Sequence, residues 1–263
     1  MRRGSRVKVH PSAQVDPGAR LDDGVEIGAY SVIGADVTIG AGTTIGAHVV
    51  IEGPTRIGRD NRIFAFVSLG AAAQDKKFAG ERTELVIGDR NTIREFVTCN
   101  RGTAGGGGVT RIGHDNWLLA YSHIAHDCQV GDHCVFSNNA TLAGHVEVGD
   151  HVIVSGFAGV HQFCRIGAHA FIANNAAVTR DVPPYVMAVG QPATPHSVNA
   201  EGLKRRGFTP QHIRNIRNAF RILYREDRKL ADALERLRDL GAGQPELAPL
   251  VAFIEASQRS LVR

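Results

Sequence analysis

No two cysteines of this chain stand in a CxxC spacing; Cys99, Cys128, Cys134 and Cys164 are scattered singly. That speaks against a zinc ribbon or a redox pair and for reduced thiols in a cytoplasmic protein. Aromatic residues are scarce at 6%, with a single Trp, so a layered aromatic core is not expected. No apolar run approaches the roughly 20 residues that cross a bilayer, so no integral membrane segment is expected. The opening MRRGSRVKVH carries charge but no apolar h-region, so it does not read as a secretory signal. The glycine run in NRGTAGGGGVT (100–110) lacks the GK[ST] ending of a phosphate-binding loop and reads as a flexible loop.

What is abundant is small and aliphatic: 30 Gly and 43% hydrophobic residues. They are ordered. Aliphatics recur every six positions at Val9, Val15, Leu21, Ile27, Ile33, Ile39, Ile45, Ile51, Ile57, Ile63 and Leu69. After a gap of 18 the phase resumes at Ile87, Ile93 and Cys99, slips by one, and runs from Ile112 in sixes to Val178. Two positions before each of the first eleven anchors stands Ala, Ser, Thr or Val, except at Asn61. A period of six is neither an amphipathic helix nor a plain alternating strand. It fits short strands joined by tight turns, three hexads closing an 18-residue triangular coil, with coils stacked into three parallel sheets about 4.8 Å apart. The expected fold is an all-β solenoid over 1–189, followed by a small α-helical domain over 190–263.

Two segments break the rhythm, GAAAQDKKFAGERTE (70–84) and 100–110, and must leave the coil as loops, where function commonly resides. In the tail, Thr209 caps and Pro210 opens a helix with apolar residues at Ile213, Ile216, Phe220, Leu223 and Tyr224; further helical patterns lie near 229–240 and 245–258. The net charge is +4, and from residue 190 onward 13 Lys+Arg face 8 Asp+Glu, so the basic excess lies in the tail.

YSHIAHDCQVGDHC (121–134) holds three histidines and two aspartates. The 18-residue period separates them. Ile124, Leu142 and Val160 are anchors on successive rungs, and beside them fall His126, His145 and His161, with Asp127 at the same offset as His145. The expectation is one histidine column over two rungs, roughly 10 Å tall, joined by Gly144 and Gln162. Taken singly, each histidine is equally well explained as a solvated turn residue. Together, a neutral imidazole beside a carboxylate has the makings of a general base near neutral pH. Asp132 and His133, one coil side away, read as ordinary turn residues.

The hexads resemble the hexapeptide-repeat acyltransferases, whose fold is a left-handed parallel β-helix. Within them, GDRNTIREFVT, HIAHDC, NNATLAGHVEVGD, GVHQFCRIGAHA, DVPPYV and ATPHSVNAEGLKRRGF are similar to the enzymes that acylate UDP-N-acetylglucosamine from acyl carrier protein at the start of lipid A synthesis. The likeness runs from VHPSAQVDPGA to RSLVR. It implies transfer of a 3-hydroxyacyl group to the glucosamine 3-hydroxyl, with His126 as base, Asp127 orienting it or the sugar, and the Gly144 N–H facing the oxyanion. It implies substrate contacts from Gln74, Asp75 and Lys77, on a loop reaching a neighbouring subunit's cleft, and from His123, His145, His161 and Gln162. Asn199, Glu201, Arg205 and Arg206 would lie near the nucleotide. It also implies a homotrimer with sites between subunits and a basic tail that steers an acidic carrier protein. No cofactor, metal or nucleic-acid partner is expected. The zinc carbonic anhydrases of this repeat class use a His pair five apart; His123 and His126 are three apart. The N-acyltransferases acting later in the pathway carry an extra N-terminal domain, whereas here the hexads begin at Val9. Where the long-chain relative has Gly, this chain has Asn174, expected with Ala170 to limit acyl length.

Overall fold

The computed structural model describes residues 6–263. Three parallel sheets of 11, 9 and 8 strands wrap one narrow core. The chain visits the first, second and third sheet in turn, so the sheets meet at three corners. Most strands are two residues long, an outward residue followed by an inward anchor, as in His123–Ile124 and Thr141–Leu142. Pairing follows the 18-residue period: His123 lies against Thr141 and Ile124 against Leu142. The anchors from Ile27 onward are buried, whereas Val9 on the first coil is 42% exposed, its strand pairing on one side only among the described residues.

The small residue two before each anchor also points inward, because a tight corner leaves little room there. Asn61, the exception in the sequence, begins a buried ladder. Its Oδ1 accepts from the Asn91 N–H (2.8 Å), Asn91 Oδ1 accepts from the Asn116 N–H (2.9 Å), and Asn116 Oδ1 accepts from the Cys134 N–H (2.7 Å). Each carboxamide satisfies a backbone donor of the next rung, which is what makes its burial tolerable. Three residues after most anchors the backbone turns left-handed, a conformation that Asp, Asn and His adopt more readily than most residues. Five of the 12 histidines occupy such slots: His48, His133, His145, His151 and His169.

The coil does not end at residue 189. Val186–Val189 and Thr194–Val198 form an antiparallel hairpin that extends the first sheet, so the expected division at 189/190 cuts through paired strands. Four helices follow: α1 (Ala200–Arg205), α2 (Pro210–Tyr224), α3 (Leu230–Gly241) and α4 (Ala248–Ala256). The expected Thr209 cap is present, its side chain accepting from the His212 N–H at 3.1 Å. α1 is an element that the apolar pattern did not announce. The tail returns to the coil through buried Asp181, whose carboxylate accepts from the Arg165 N–H (2.9 Å) and the Ser257 hydroxyl (2.6 Å). Among the described residues no helix is long and apolar enough to cross a membrane.

Candidate active site

The loops 70–84 and 100–110 both leave the coil between a strand of the second sheet and a strand of the third. His126, Gly144 and Gln162 sit at the same corner on successive rungs. Both interruptions of the repeat therefore stand over one edge of the solenoid, next to the candidate base.

At that edge the His126 Nδ1 lies 2.8 Å from Asp127 Oδ2, and the Asp127 side chain is fully buried. A carboxylate can only accept, so Nδ1 carries the hydrogen and Nε2 keeps its lone pair. His145 Nε2 stands 3.7 Å from the same oxygen, and the two imidazoles meet edge to face at 5.1 Å. Burial holds His145 below the usual histidine range, against the pull of Asp127 and of Asp75 in the 70–84 loop. Burial also lowers His123, with His126 beside it adding to the effect; its Nδ1 is 2.7 Å from Thr98 Oγ1.

Gly144 has a steric reason to be glycine. A Cβ there would lie 2.5 Å from His126 Cε1 and 2.7 Å from Nε2, inside the ring's van der Waals envelope. Only glycine leaves the imidazole its place. Among the described residues, no backbone or side-chain acceptor takes the Gly144 N–H.

The 100–110 segment is not the free loop expected from its glycines. Thr103 donates its backbone N–H to Asp127 Oδ1 (2.8 Å) and its hydroxyl to Oδ2 (2.7 Å). Thr110 Oγ1 accepts from the Asp127 N–H at 2.7 Å. The Ala104 N–H donates to Glu81 Oε1 at 3.1 Å, which ties this loop to the other one. Thr103 escaped the sequence reading because it stands where the hexad phase is lost, and Thr110 because it fills the ordinary small slot two before Ile112; two threonines flanking a glycine run were the available signal.

The expected single column of histidines is instead three adjacent columns. His126, Gly144 and Gln162 lie two residues after their anchors. Asp127, His145 and Phe163 lie three after, in left-handed conformation, with His145 stacked on Phe163 at 4.4 Å. His161 belongs to a third line; it is exposed, with Nδ1 3.1 Å from the Gln162 carbonyl. So the donors that converge within 4.8 Å are His126, Asp127 and His145, without His161. Within the cluster Asp127 accepts from Thr103 and His126, while His145 Nε2 stays beyond hydrogen-bond distance.

Other expected site residues lie elsewhere. Ala170 is fully buried in the coil core, two before anchor Ile172, and cannot line an acyl groove. Asn174 is exposed at the corner between the first and second sheets, and the left-handed residue there is Asn175 (φ 58°), not Asn174. Asn199 is buried and committed to structure: its Nδ2 donates to the His169 carbonyl (3.0 Å) and its Oδ1 caps α1 through Gly202 N–H (3.2 Å). Arg205 and Arg206 end α1, which also holds Glu201, and Arg206 acts on His151 and His169 at the corner between the third and first sheets. One chain thus unites His123, His126, Asp127, Gly144 and His145, with Asp75 near them, but not the arginines. From Asp127 and His145 a groove of about 1000 Å³ runs along the third sheet, past Arg111, Arg165 and Arg259.

Comparison with known proteins agrees with this geometry. Residues 18–53 and 110–144 match the family described as bacterial transferase hexapeptide (six repeats), and 181–262 match Udp N-acetylglucosamine O-acyltransferase, domain 2. An acyl-[acyl-carrier-protein]–UDP-N-acetylglucosamine O-acyltransferase of Halorhodospira halophila is 57% identical over 212 residues, covering 81% of this chain and 82% of that one. The structure of LpxA from Acinetobacter baumannii is 43% identical and covers 97% of this chain and 99% of its own, with a TM-score of 0.95. The UDP-N-acetylglucosamine acyltransferase of Francisella novicida is 41% identical, covering 97% and 94% of the two chains, again with a TM-score of 0.95.

Proposed function

The chain belongs to the UDP-N-acetylglucosamine O-acyltransferase family, and from that premise we propose how its own residues carry the reaction. The fold is the left-handed parallel β-helix of hexapeptide repeats with a helical C-terminal part. The activity is transfer of an acyl group from acyl carrier protein to UDP-N-acetylglucosamine, in lipid A biosynthesis. The group transferred is a 3-hydroxyacyl chain and the acceptor is the glucosamine 3-hydroxyl.

His126 is the general base. The observation that carries this is the 2.8 Å contact between its Nδ1 and the fully buried Asp127, which leaves Nε2 as the free lone pair. Nε2 takes the hydroxyl proton as the oxygen attacks the thioester carbonyl carbon. The Gly144 N–H donates to the oxygen that becomes anionic; such a donor is worth about 10²- to 10³-fold. On collapse the C–S bond breaks, and the proton on His126 passes to the departing thiolate. No redox partner enters this balance.

His123, His145, His161 and Gln162 line the sugar side of the cleft, and Gln74, Asp75 and Lys77 cover it from the 70–84 loop. Glu201, Arg205 and Arg206 hold the nucleotide, the guanidiniums suiting a diphosphate. Because those arginines stand at a different corner from His126, a complete site draws on more than one subunit, which supports a homotrimer with intersubunit sites. Asn174 limits acyl length. It lies three rungs from His126, about 14 Å along the axis. The enzyme works in the cytoplasm, where it meets its carrier protein.

The test is His126→Ala, assayed with a 3-hydroxyacyl carrier protein and UDP-N-acetylglucosamine. A loss of about 10²- to 10⁴-fold in kcat is expected. Activity within a few-fold of the wild type sinks the base assignment.

A further inference from the structure

We propose that Thr103 is a positioning residue of the acyl transfer: it holds the Asp127 carboxylate in the orientation that aims His126, and it thereby sets the lower pH limit of the reaction. The inference rests on His126 acting as the base.

The Thr103 hydroxyl has one hydrogen and two neighbours that fix its direction. It accepts from the Gly106 N–H at 3.1 Å, capping the short 3₁₀ turn Ala104–Gly106. Its own hydrogen is left for Asp127 Oδ2 at 2.7 Å, while its backbone N–H serves Oδ1 at 2.8 Å. One residue thus donates to both oxygens of a carboxylate that is fully buried. Oδ2 is also the oxygen that receives His126 Nδ1. Two donors on one oxygen compete for its charge. The hydroxyl therefore shares Oδ2 with the imidazole, and its removal leaves the charge of that oxygen to His126 alone.

The loop that carries Thr103 is built against this carboxylate. A Cβ on Gly106 would overlap the Asp127 side chain, and one on Gly102 would lie 2.9 Å from Oδ1. Glycine at both places lets the backbone close over the carboxylate and exclude water. The loop is in turn pinned by Glu81 through the Ala104 N–H. So the out-of-phase segment is a fitted cover in which Thr103 serves both oxygens of the Asp127 carboxylate, while Thr110 serves only its backbone N–H.

The experiment compares Thr103→Val, Thr103→Ser and His126→Ala in the full chain, with kcat and kcat/KM measured from pH 5.5 to 9. Thr103→Val is expected to lose about 10- to 100-fold in kcat, the scale of a misplaced catalytic group. Its acid limb in kcat/KM should move up by about half a pH unit, a fraction of one charge-assisted hydrogen bond. Thr103→Ser restores the hydroxyl and should return both to within about threefold of wild type. If Thr103→Val does not fold, Thr103→Ala takes its place, with the His126 Nδ1–H proton resonance as a second readout; that resonance should shift. An unmoved acid limb and unmoved resonance, or equal losses in the Ser and Val variants, overturn the proposal. If His126→Ala stays active, the base reading itself has failed; if only the Thr103 variants behave as wild type, this inference alone has.

Discussion

At the corner between the second and third sheets, His126 and His145 share the buried carboxylate of Asp127. At the corner between the third and first sheets, His133, His151 and His169 stack face to face with centroids 4.8 Å apart. The two clusters look alike in composition. They differ in what satisfies the rings. In the second cluster the Nδ1 atoms of His151 and His169 are buried without a hydrogen-bond partner among the described residues. Burial, the neighbouring His151 and Arg206 push His169 down to about 4, against the weaker pull of Asp150. His151 is lowered too, by burial, Arg206 and His133, with Asp150 and Asp132 opposing. A stack of neutral rings fills a left-handed corner and packs. A ring with an oriented carboxylate behind it can move a proton. Histidine density is therefore poor evidence of chemistry in a solenoid, because the backbone itself recruits histidine to its corners; His126, the proposed base, is not in a left-handed slot.

The comparison is broken most directly at Gly144. Gly144→Ala places a Cβ against the His126 ring, and kcat should fall by about 10²-fold, with the melting temperature changed little. Steady-state kinetics and a melt decide it; a near-normal kcat would show that the ring has room to move and that its placement is not critical. Arg206→Ala probes the other corner. If Arg206 holds the nucleotide, KM for UDP-N-acetylglucosamine should rise about tenfold with kcat within threefold, the loss of one charge-assisted contact. An unchanged KM would leave Arg206 as nothing more than a neighbour of the histidine stack. Asn174→Gly probes the remaining corner: over a panel of 3-hydroxyacyl carrier proteins the preferred chain should lengthen, and an unchanged preference rejects Asn174 as the limit. The smallest effect is expected from His169→Gln. The folded chain binds a proton at His169 only near pH 4, whereas an unfolded chain binds one near 6.5, so the unfolded state gains protons as pH falls between the two. Stability at this site is complete above about 6.5 and is lost on the way down to 4. The variant should keep its activity within about twofold and flatten the decline of melting temperature between pH 7 and 5 by a few degrees. An unchanged slope would mean that the stack carries no such linkage.

Much of this was readable from spacing. The six-residue anchors placed every inward residue, and the 18-residue period brought Asp127 and His145 to one offset before any coordinates. The same rule puts Ala170, two before Ile172, in the small inward slot and so in the core. Asn61 was visible as an exception but not as the start of a ladder, since its partners Asn91 and Asn116 lie beyond the phase breaks. Asn199 read as part of a nucleotide motif, yet its carboxamide is consumed by a helix cap and the His169 carbonyl.

The sequence by itself determined the coil, its three faces, the corner that holds His126 and the helical character of the tail, because a strict period makes position in the chain equivalent to position in space. Only the tertiary structure decided what stands over that corner. A segment that leaves the repeat has no period to place it; the Thr103 loop is placed by what a buried carboxylate requires, donors on both oxygens and a backbone thin enough to close over it. Tertiary structure also decided that Arg205 and Arg206 and the His126 of the coil lie at different corners of one chain, since a helix after the last rung docks by packing and not by register.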